Sequence, residues 1–306
     1  MKLLITGING FVGTNLYDKL YPSIDISGVD IYSDNCKKCK IFTWDEFPEL
    51  PSVETIIHLA GVAHDTKNST DESKYTIINV GLTKKIFEYF LESSATKFIY
   101  FSSVKAIADT VQWGSLSEDY PADPKTYYGK SKLEAERYLM NKKIPPSKYL
   151  YILRPAMIHG PGNKGNLNLL YSFAKSGFPY PLGAYDNYRS FTSIENVNHI
   201  IRRIVTENIS PGIYNLCDDE PISTKEVVKL MFQSLEKRGI ILNVPKHVVS
   251  AMAFIGDFLH LPINSERLKK MTETYIVSNK KIKIALSVDK LPVSSKEGLM
   301  STLNKL

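Results

Sequence analysis

The chain has 306 residues, 43% of them apolar and 23% charged, with glycine and proline scattered along it. That length buries a full core in one unit or two closely packed domains, and the composition excludes a disordered chain. The net charge of +6 is spread out, the Lys280, Lys281, Lys283 cluster reading as a solvated face, so no nucleic-acid partner is expected, while an anionic small substrate suits the balance.

From the start, Met1 to Gly7 is too short in apolar residues for a secretory signal, and Leu3 to Thr6 is expected to be a strand. Val12, Leu16 and Leu20 follow at i, i+4 and i+8, one face of a helix. Asp25 to Asp30 and Lys40 to Thr43 are the next strands. Between them Cys36 and Cys39 form a C-x-x-C pair that reads as incidental, because no second Cys or His pair stands at zinc spacing and no metal is expected. Three cysteines in all, with Cys217, oppose a disulfide framework and fit a reducing cytoplasm. Ile56 to Ala60 is a buried strand, Leu82, Ile86 and Phe90 mark an amphipathic helix, and Phe98 to Phe101 is a strand ending at Ser102-Ser103. Tyr149 to Leu153 is stopped by Arg154-Pro155. Strands alternating with helices predict an α/β chain whose parallel sheet is covered on both faces.

After Pro155 the rhythm changes. Gly160 to Gly183 reads as loops around one helix near Leu167 to Lys175, and Phe191 to Ile194 and Tyr214 to Leu216 read as strands returning to the sheet. Ser223 to Glu226 has capping-box spacing and opens a helix with Val227, Val228, Met231, Phe232 and Leu235 inward. Val248 to Leu261 is the most apolar later stretch, broken by Ser250, Asp257 and His260. It cannot span a bilayer and reads as a buried or interfacial helix, so no membrane partner is expected.

Gly7-Ile8-Asn9-Gly10-Phe11-Val12-Gly13 has G-x-x-G-x-x-G spacing. Alone it makes a turn as readily as a binding site. Between a strand and a helix, its glycines let the backbone approach a pyrophosphate, and the helix N-terminus supplies N–H groups and positive dipole. Asp30, ending the second strand, can accept hydrogen bonds from an adenine ribose and repels a 2′-phosphate, which favours NAD over NADP. Lys37, Lys38 and Lys40 nearby keep NADP open.

Tyr128-Gly129-Lys130-Ser131-Lys132 places Tyr128 and Lys132 on one helix face. A phenol titrating near ~10 exchanges protons poorly at neutral pH, and an adjacent ammonium is expected to lower that value. Ser103, at the carboxyl end of a parallel strand, can hold the substrate oxygen that Tyr128 protonates.

These residues together resemble the extended short-chain dehydrogenase/reductases that act on nucleotide sugars. The match runs through Gly7 to Gly13, Asp30, His58-Leu59-Ala60-Gly61, Asn79-Val80, Ser102-Ser103, Tyr128 to Lys132 and Arg154-Pro155. It implies a Rossmann-type doubly wound parallel sheet with a smaller mixed α/β substrate domain, residues 1–155 with 190–217 forming the first and 156–189 with 218–306 the second. It implies Ser103, Tyr128 and Lys132 as catalytic residues. Gly7, Asn9, Gly10, Phe11, Val12, Gly13, Asp30, Leu59, Ala60, Gly61, Asn79, Ser102, Tyr128, Lys132 and Pro155 would line the cofactor. Gly160 to Asn166 stands where such enzymes begin to bind a nucleotide diphosphate, and Ser103, Lys105, Asn166, Arg189 and, more weakly, Arg267 fall to the substrate. A guanidinium suits the diphosphate because its fork pairs with phosphate oxygens. Thr43-Trp44-Asp45 departs from the family's usual adenine contact.

His58 to His64, Ser102 to Lys105 and Gly165-Asn166-Leu167 resemble the branch holding UDP-4-keto-6-deoxy-N-acetylhexosamine reductases of surface polysaccharide synthesis. The leading expectation is therefore a cytoplasmic reductase of the C4 ketone of a UDP-sugar. The alternative is a UDP-hexose or UDP-N-acetylhexosamine 4-epimerase, which uses the same triad and keeps its NAD, and a remote one is a non-catalytic NAD-binding scaffold or sensor. The resemblance also implies a homodimer, with the helices near Leu82 to Leu91 and Lys130 to Leu139 as its seam.

Overall fold

The computed structural model describes residues 1–33, 38–62, 72–163, 166–259 and 264–306, with the side chain of Asn166 left out. Cys36, Lys37, Ala63, His64, Lys164, Gly165, His260 and Leu261 lie outside the described residues, and so does whatever the Asn166 side chain touches.

In chain order the first lobe runs β1 (Lys2–Thr6), α1 (Phe11–Leu20), β2 (Asp25–Asp30), β3 (Ile41–Thr43) and β4 (Thr55–His58). It continues with α2 (Glu72–Tyr75), which passes through a π-helical turn at Thr76–Gly81 into α3 (Leu82–Glu92), then β5 (Lys97–Phe101), α4 (Tyr127–Met140) and β6 (Tyr149–Pro155). Beyond lie β7 (Met157–His159), α5 (Asn166–Lys175), β8 (Tyr188–Arg189), β9 (Phe191–Ser193), α6 (Ile194–Thr206) and β10 (Gly212–Leu216). The chain ends with β11 (Ile222–Ser223), α7 (Thr224–Ser234), α8 (Lys246–Phe258), α9 (Ser265–Thr272), α10 (Lys280–Leu286) and α11 (Ser295–Leu303).

Seven strands form one sheet in the order β3-β2-β1-β4-β5-β6-β10, every pairing parallel. The order reverses between β1 and β4, so the turns after these two strands diverge and leave a cleft at their carboxyl ends. Both faces are buried, as the near-continuous apolar strands require. Leu3 and Ile5 point to a core shared with Ile200, Ile201 and Ile204 of α6, while Leu4 between them points to Ile86, Phe87 and Phe90 of α3.

One expectation fails. Phe191 to Ser193 does not return to the large sheet but pairs in parallel with β7, because β10 already occupies the free edge of β6. The segment still returns to the lobe through α6, whose Ile194, Val197 and Ile200 join the sheet's core. A separate core of Leu167, Phe191, Val227, Met231, Phe232 and Leu299 holds the C-terminal lobe together.

The amphipathic α3 forms as its periodicity predicts, yet the exposed middle positions of α3 and α4 carry Lys84, Lys85, Lys130, Glu134 and Arg137. The expected dimer seam is thus charged on its outward side. The helix at Val248 buries only Val249, Ala253 and Gly256, which excludes the buried alternative and leaves the interfacial one. Among the described residues no helix is long and apolar enough to cross a membrane.

Candidate active site

The turn after β1 is built for close approach. Gly10 N–H donates to the Gly7 carbonyl at 3.0 Å, and α1 starts at Phe11 with no side chain capping Gly10. An atom at the Cβ of Gly13 would lie 2.3 Å from the Gly7 carbonyl, so this position admits only glycine. The first N–H groups of α1 therefore face the cleft without a side chain over them, a cradle that matches the charge and width of a pyrophosphate. Asn9 and Gly10 are exposed, and Phe11 and Val12 half-buried, along its rim. Asp30 ends β2 beside this turn, where its Oδ2 accepts from Asn9 N–H at 2.8 Å and its Oδ1 from Ile31 N–H at 2.8 Å. A carboxylate fixed there stands ready for ribose hydroxyls, and the residues present fit a dinucleotide of the NAD type.

The second wall follows β4. Leu59 and Ala60 are half-buried and Gly61 exposed, directly over Lys132: an atom at the Cβ of Gly61 would lie 3.5 Å from Lys132 Nζ. Lys132, on α4, donates to the Phe101 carbonyl at the end of β5 at 2.8 Å. Burial pulls its pKa down to about 8, with Glu136 acting the other way. Tyr128 is one turn earlier on the same face, its phenol hydrogen-bonded with the Ser103 hydroxyl. Ser103 caps the short helical turn after β5, accepting from Lys105 N–H at 3.2 Å. Two devices fix this juxtaposition. Asp109 accepts from Lys125 N–H, Thr126 N–H and the Thr126 hydroxyl, which anchors the start of α4. Gly129 then lets α4 come close, since a Cβ there would lie 2.4 Å from the Lys105 carbonyl.

The triad is assembled as expected, but the phenol is not acidified. Burial pushes the Tyr128 pKa above its ordinary value and the Tyr75 ring beside it adds to this; the Ser103 hydrogen bond alone lowers it. Desolvation outweighs the ammonium because Lys132 is turned to the Phe101 carbonyl. Asn79, expected along the cofactor, has its amide engaged instead: Oδ1 accepts from Val62 N–H at 2.7 Å, and Nδ2 donates to the Val62 carbonyl and to Ser131 Oγ. Those bonds tie Asn79 to the wall that follows β4 and to α4. Ser102 likewise turns inward, its hydroxyl bonded to the Glu136 carboxylate, and Pro155 is buried in the pairing of β6 with β10.

Two groups behind the site matter that motif spacing alone did not single out. Glu136 is fully buried and pairs with Arg154, which donates from Nε at 2.9 Å and from Nη2 at 2.6 Å. The signal was available: Glu136 is i+4 from Lys132, and a buried arginine demands a buried carboxylate. His58 lies between the Thr6 hydroxyl at 2.6 Å and the Thr83 hydroxyl at 2.9 Å. Ala60 N–H donates to Thr6 Oγ1, and Thr83 Oγ1 donates to the Asn79 carbonyl. The one proton arrangement that satisfies every member assigns His58 the neutral tautomer with hydrogen on Nε2. Burial agrees, pulling its pKa down to about 3.

Across the cleft, the proposed substrate residues partly converge. Lys105 Nζ donates to the Asp109 carbonyl at 2.8 Å and sits 4.6 Å above the Tyr275 ring. Arg189 pairs through its backbone with Tyr275, and its Nε donates to the Glu273 carbonyl at 3.3 Å. Lys105 feels the charges of Asp109, Arg189, Glu273 and Lys270, which places Lys105 and Arg189 together beside Tyr275, and burial lowers the pKa of Lys105 and of Arg189. Such a cluster suits a diphosphate. Arg267 is exposed on α9, the helix that also carries Lys270. Tyr275, Lys270 and Glu273 were not legible, because their sequence distance from Lys105 leaves no spacing to read.

Comparison with known proteins agrees with this geometry. The model of the NAD dependent epimerase/dehydratase family matches residues 3–217. A UDP-glucose 4-epimerase of Vibrio cholerae is 31% identical over 259 residues, covering 80% of this chain and 79% of the relative. An N-acetyl-alpha-D-glucosaminyl-diphospho-ditrans,octacis-undecaprenol 4-epimerase of Escherichia coli O157:H7 is 28% identical over 290 residues, covering 89% and 86%. Among solved structures, a Thermus thermophilus UDP-glucose 4-epimerase complex with NAD superposes with a TM-score of 0.76 at 19% identity, covering 100% of this chain and 98% of that one.

Proposed function

The chain belongs to the NAD-dependent epimerase/dehydratase family, and on that premise we propose that it is a C4 oxidoreductase of sugars carried on a diphosphate, working as a 4-epimerase with NAD. The observation that carries this reading is the Ser103–Tyr128–Lys132 constellation at the lip of β5, opposite the glycine cradle and one wall away from the Lys105–Arg189 cations. The relatives named above, both 4-epimerases, support the redox-neutral form. Asp30 supports NAD over NADP, since a carboxylate repels a 2′-phosphate.

Gly7 to Gly13 and the start of α1 would hold the pyrophosphate, Asp30 the adenine ribose, and Lys132 the nicotinamide ribose. Bound there, the nicotinamide supplies reversible acceptance of hydride at the sugar's C4. Tyr128 takes the proton from the C4 hydroxyl and returns it, while Ser103 donates a hydrogen bond that orients the sugar oxygen. Taking that proton requires the phenolate, and the Ser103 hydrogen bond is the contact that brings the phenol's pKa down. Lys105 and Arg189 anchor the diphosphate, whose binding energy fixes the reacting carbon from a distance.

One observation favours the reductase as a second reading. The raised Tyr128 pKa keeps the phenol protonated at neutral pH, the state that a donor to a ketone needs. The test separates the two. Purified chain is given UDP-N-acetylglucosamine or UDP-glucose without added nicotinamide, and the products are resolved by mass spectrometry after chromatography. Appearance of the C4 epimer supports the first reading. Its absence, with stoichiometric NADH oxidation on a UDP-4-keto-6-deoxy sugar, replaces it with the second. A chain inert in both would overturn each.

A further inference from the structure

We propose that Tyr100 is a positioning residue of the triad: its ring seats the Lys132 ammonium so that one N–H is left for the cleft. The inference rests on Lys132 being the triad lysine and adds what aims it. Lys132 is buried on α4. Its Nζ lies 5.0 Å from the centre of the Tyr100 ring and donates to the Phe101 carbonyl at 2.8 Å. An ammonium carries three donors. A ring face and a carbonyl from consecutive residues of β5 engage two of them. On the cleft side stands Gly61, whose missing Cβ would lie 3.5 Å from Nζ, so the third is open to a ligand.

Burial is what gives the ring its importance. A desolvated ammonium gives up its proton more readily, and the Lys132 pKa is pulled down to about 8 by burial. Glu136, one turn further on, opposes that pull, but its carboxylate is taken up by Arg154 and the Ser102 hydroxyl. In contact with the ammonium itself are a neutral carbonyl and the Tyr100 ring, and a cation over a ring face is held most firmly where water is excluded. The ring is itself fixed: Tyr100 is fully buried and stacks on the His58 ring at 5.8 Å and 24°. The groups facing Lys132 stay silent while it titrates. His58 on β4 is neutral, Tyr100 on β5 and Tyr128 on α4 are pushed above their ordinary value, and Glu136 is paired with Arg154 of β6. Tyr75 of α2 meets the Tyr128 ring edge-on at 6.4 Å.

The test reads Lys132 directly, by NMR titration of the full chain with its lysine side chains labelled at Cε, using Lys132→Met to identify the resonance. Two variants keep the shape of the ring. Tyr100→Phe retains the π face, and Tyr100→trifluorophenylalanine withdraws electron density from it. The expected midpoint is nearly the same in the parent and in Tyr100→Phe. In the fluorinated chain it is lower by about one pH unit, roughly a tenfold loss of protonated lysine at alkaline pH. The alkaline limb of kcat/KM should fall by the same interval. A fluorinated chain with the midpoint of Tyr100→Phe overturns the proposal. So does a midpoint in Tyr100→Phe that falls as far, since the hydroxyl would then be responsible. A limb that stays while the midpoint moves overturns the positioning role. Thermal melts report the fold of each variant, and the titration needs neither substrate nor cofactor, so failure here is separate from failure of the enzymatic reading.

Discussion

The two lobes of this molecule solve opposite problems. In the sheet lobe, the buried polar groups behind the triad have partners in place: Glu136 with Arg154 and Ser102, His58 between Thr6 and Thr83, Asn79 between Val62 and Ser131. In the C-terminal lobe the strands are two or three residues long, and α8 keeps Phe254 largely exposed. The first lobe is specified by internal satisfaction, which fixes the triad to within hydrogen-bond tolerances. The glycine turn and the triad residues belong to the first lobe, while Arg189 comes from the short strand β8 beside the second.

The largest test of that contrast is at the triad. Tyr128→Phe should lower kcat by about 10²–10⁴-fold while leaving the melting temperature unchanged, because only the hydroxyl is lost. Steady-state kinetics beside a thermal melt would check it; comparable activity in the variant would remove the phenol from the chemistry. Next comes the scaffold behind it. Arg154→Met leaves Glu136 buried without its cation and should cost about 3–5 kcal/mol in urea unfolding. Lys269→Met, exposed on α9, should stay within about 0.5 kcal/mol. Equal costs at the two positions would break the comparison between lobes.

The same contrast explains what could be read in advance. The glycine turn, Asp30 and the Tyr128–Lys132 pair were legible because a pyrophosphate and a proton transfer each demand certain residues at fixed local spacing. A parallel sheet covered on both faces followed from strands such as Ile56-Ile57 and Phe98 to Phe101 being apolar throughout and alternating with amphipathic helices. The partners of Asn79 and Ser102 were not legible, because motif position carries no information about which way an amide or hydroxyl turns. The acidified phenol failed for a related reason: spacing placed Lys132 beside Tyr128, but only the fold reveals that the ammonium is turned to Phe101. Residue pairs such as Lys105 with Tyr275 arise from tertiary pairing alone. The segment at Phe191 was misplaced since a three-residue strand reads the same whichever partner it finds.

A smaller effect sharpens the picture of the sheet lobe as pre-satisfied. His58 has its folded pKa pulled from 6.5 down to about 3. Above pH 6.5 both folded and unfolded states hold it neutral, and its contribution is fully present. As pH falls below 6.5 the unfolded chain gains a proton that the folded chain refuses, so stability is lost, on the order of 2 kcal/mol by pH 5. His58→Gln should flatten that acid limb in urea midpoints measured from pH 7 to pH 5, although it lowers stability at every pH by breaking the Thr6–His58–Thr83 chain. An acid limb of unchanged slope would mean the histidine is not the neutral link assigned to it.

The least of the expected effects belongs to the recognition side, and it is the most discriminating for substrate class. Arg189 is half-buried beside Tyr275, with its Nε donating to the Glu273 carbonyl. If it grips a diphosphate far from C4, that contact is the same before and during reaction, and its loss appears as uniform binding. Arg189→Ala should then raise KM about tenfold, about 1.4 kcal/mol, with kcat nearly constant. Arg189→Lys should recover only part, since a point charge cannot reproduce the fork. A fall in kcat at unchanged KM would place Arg189 with the chemistry instead, and the division of labour between the lobes would have to be redrawn.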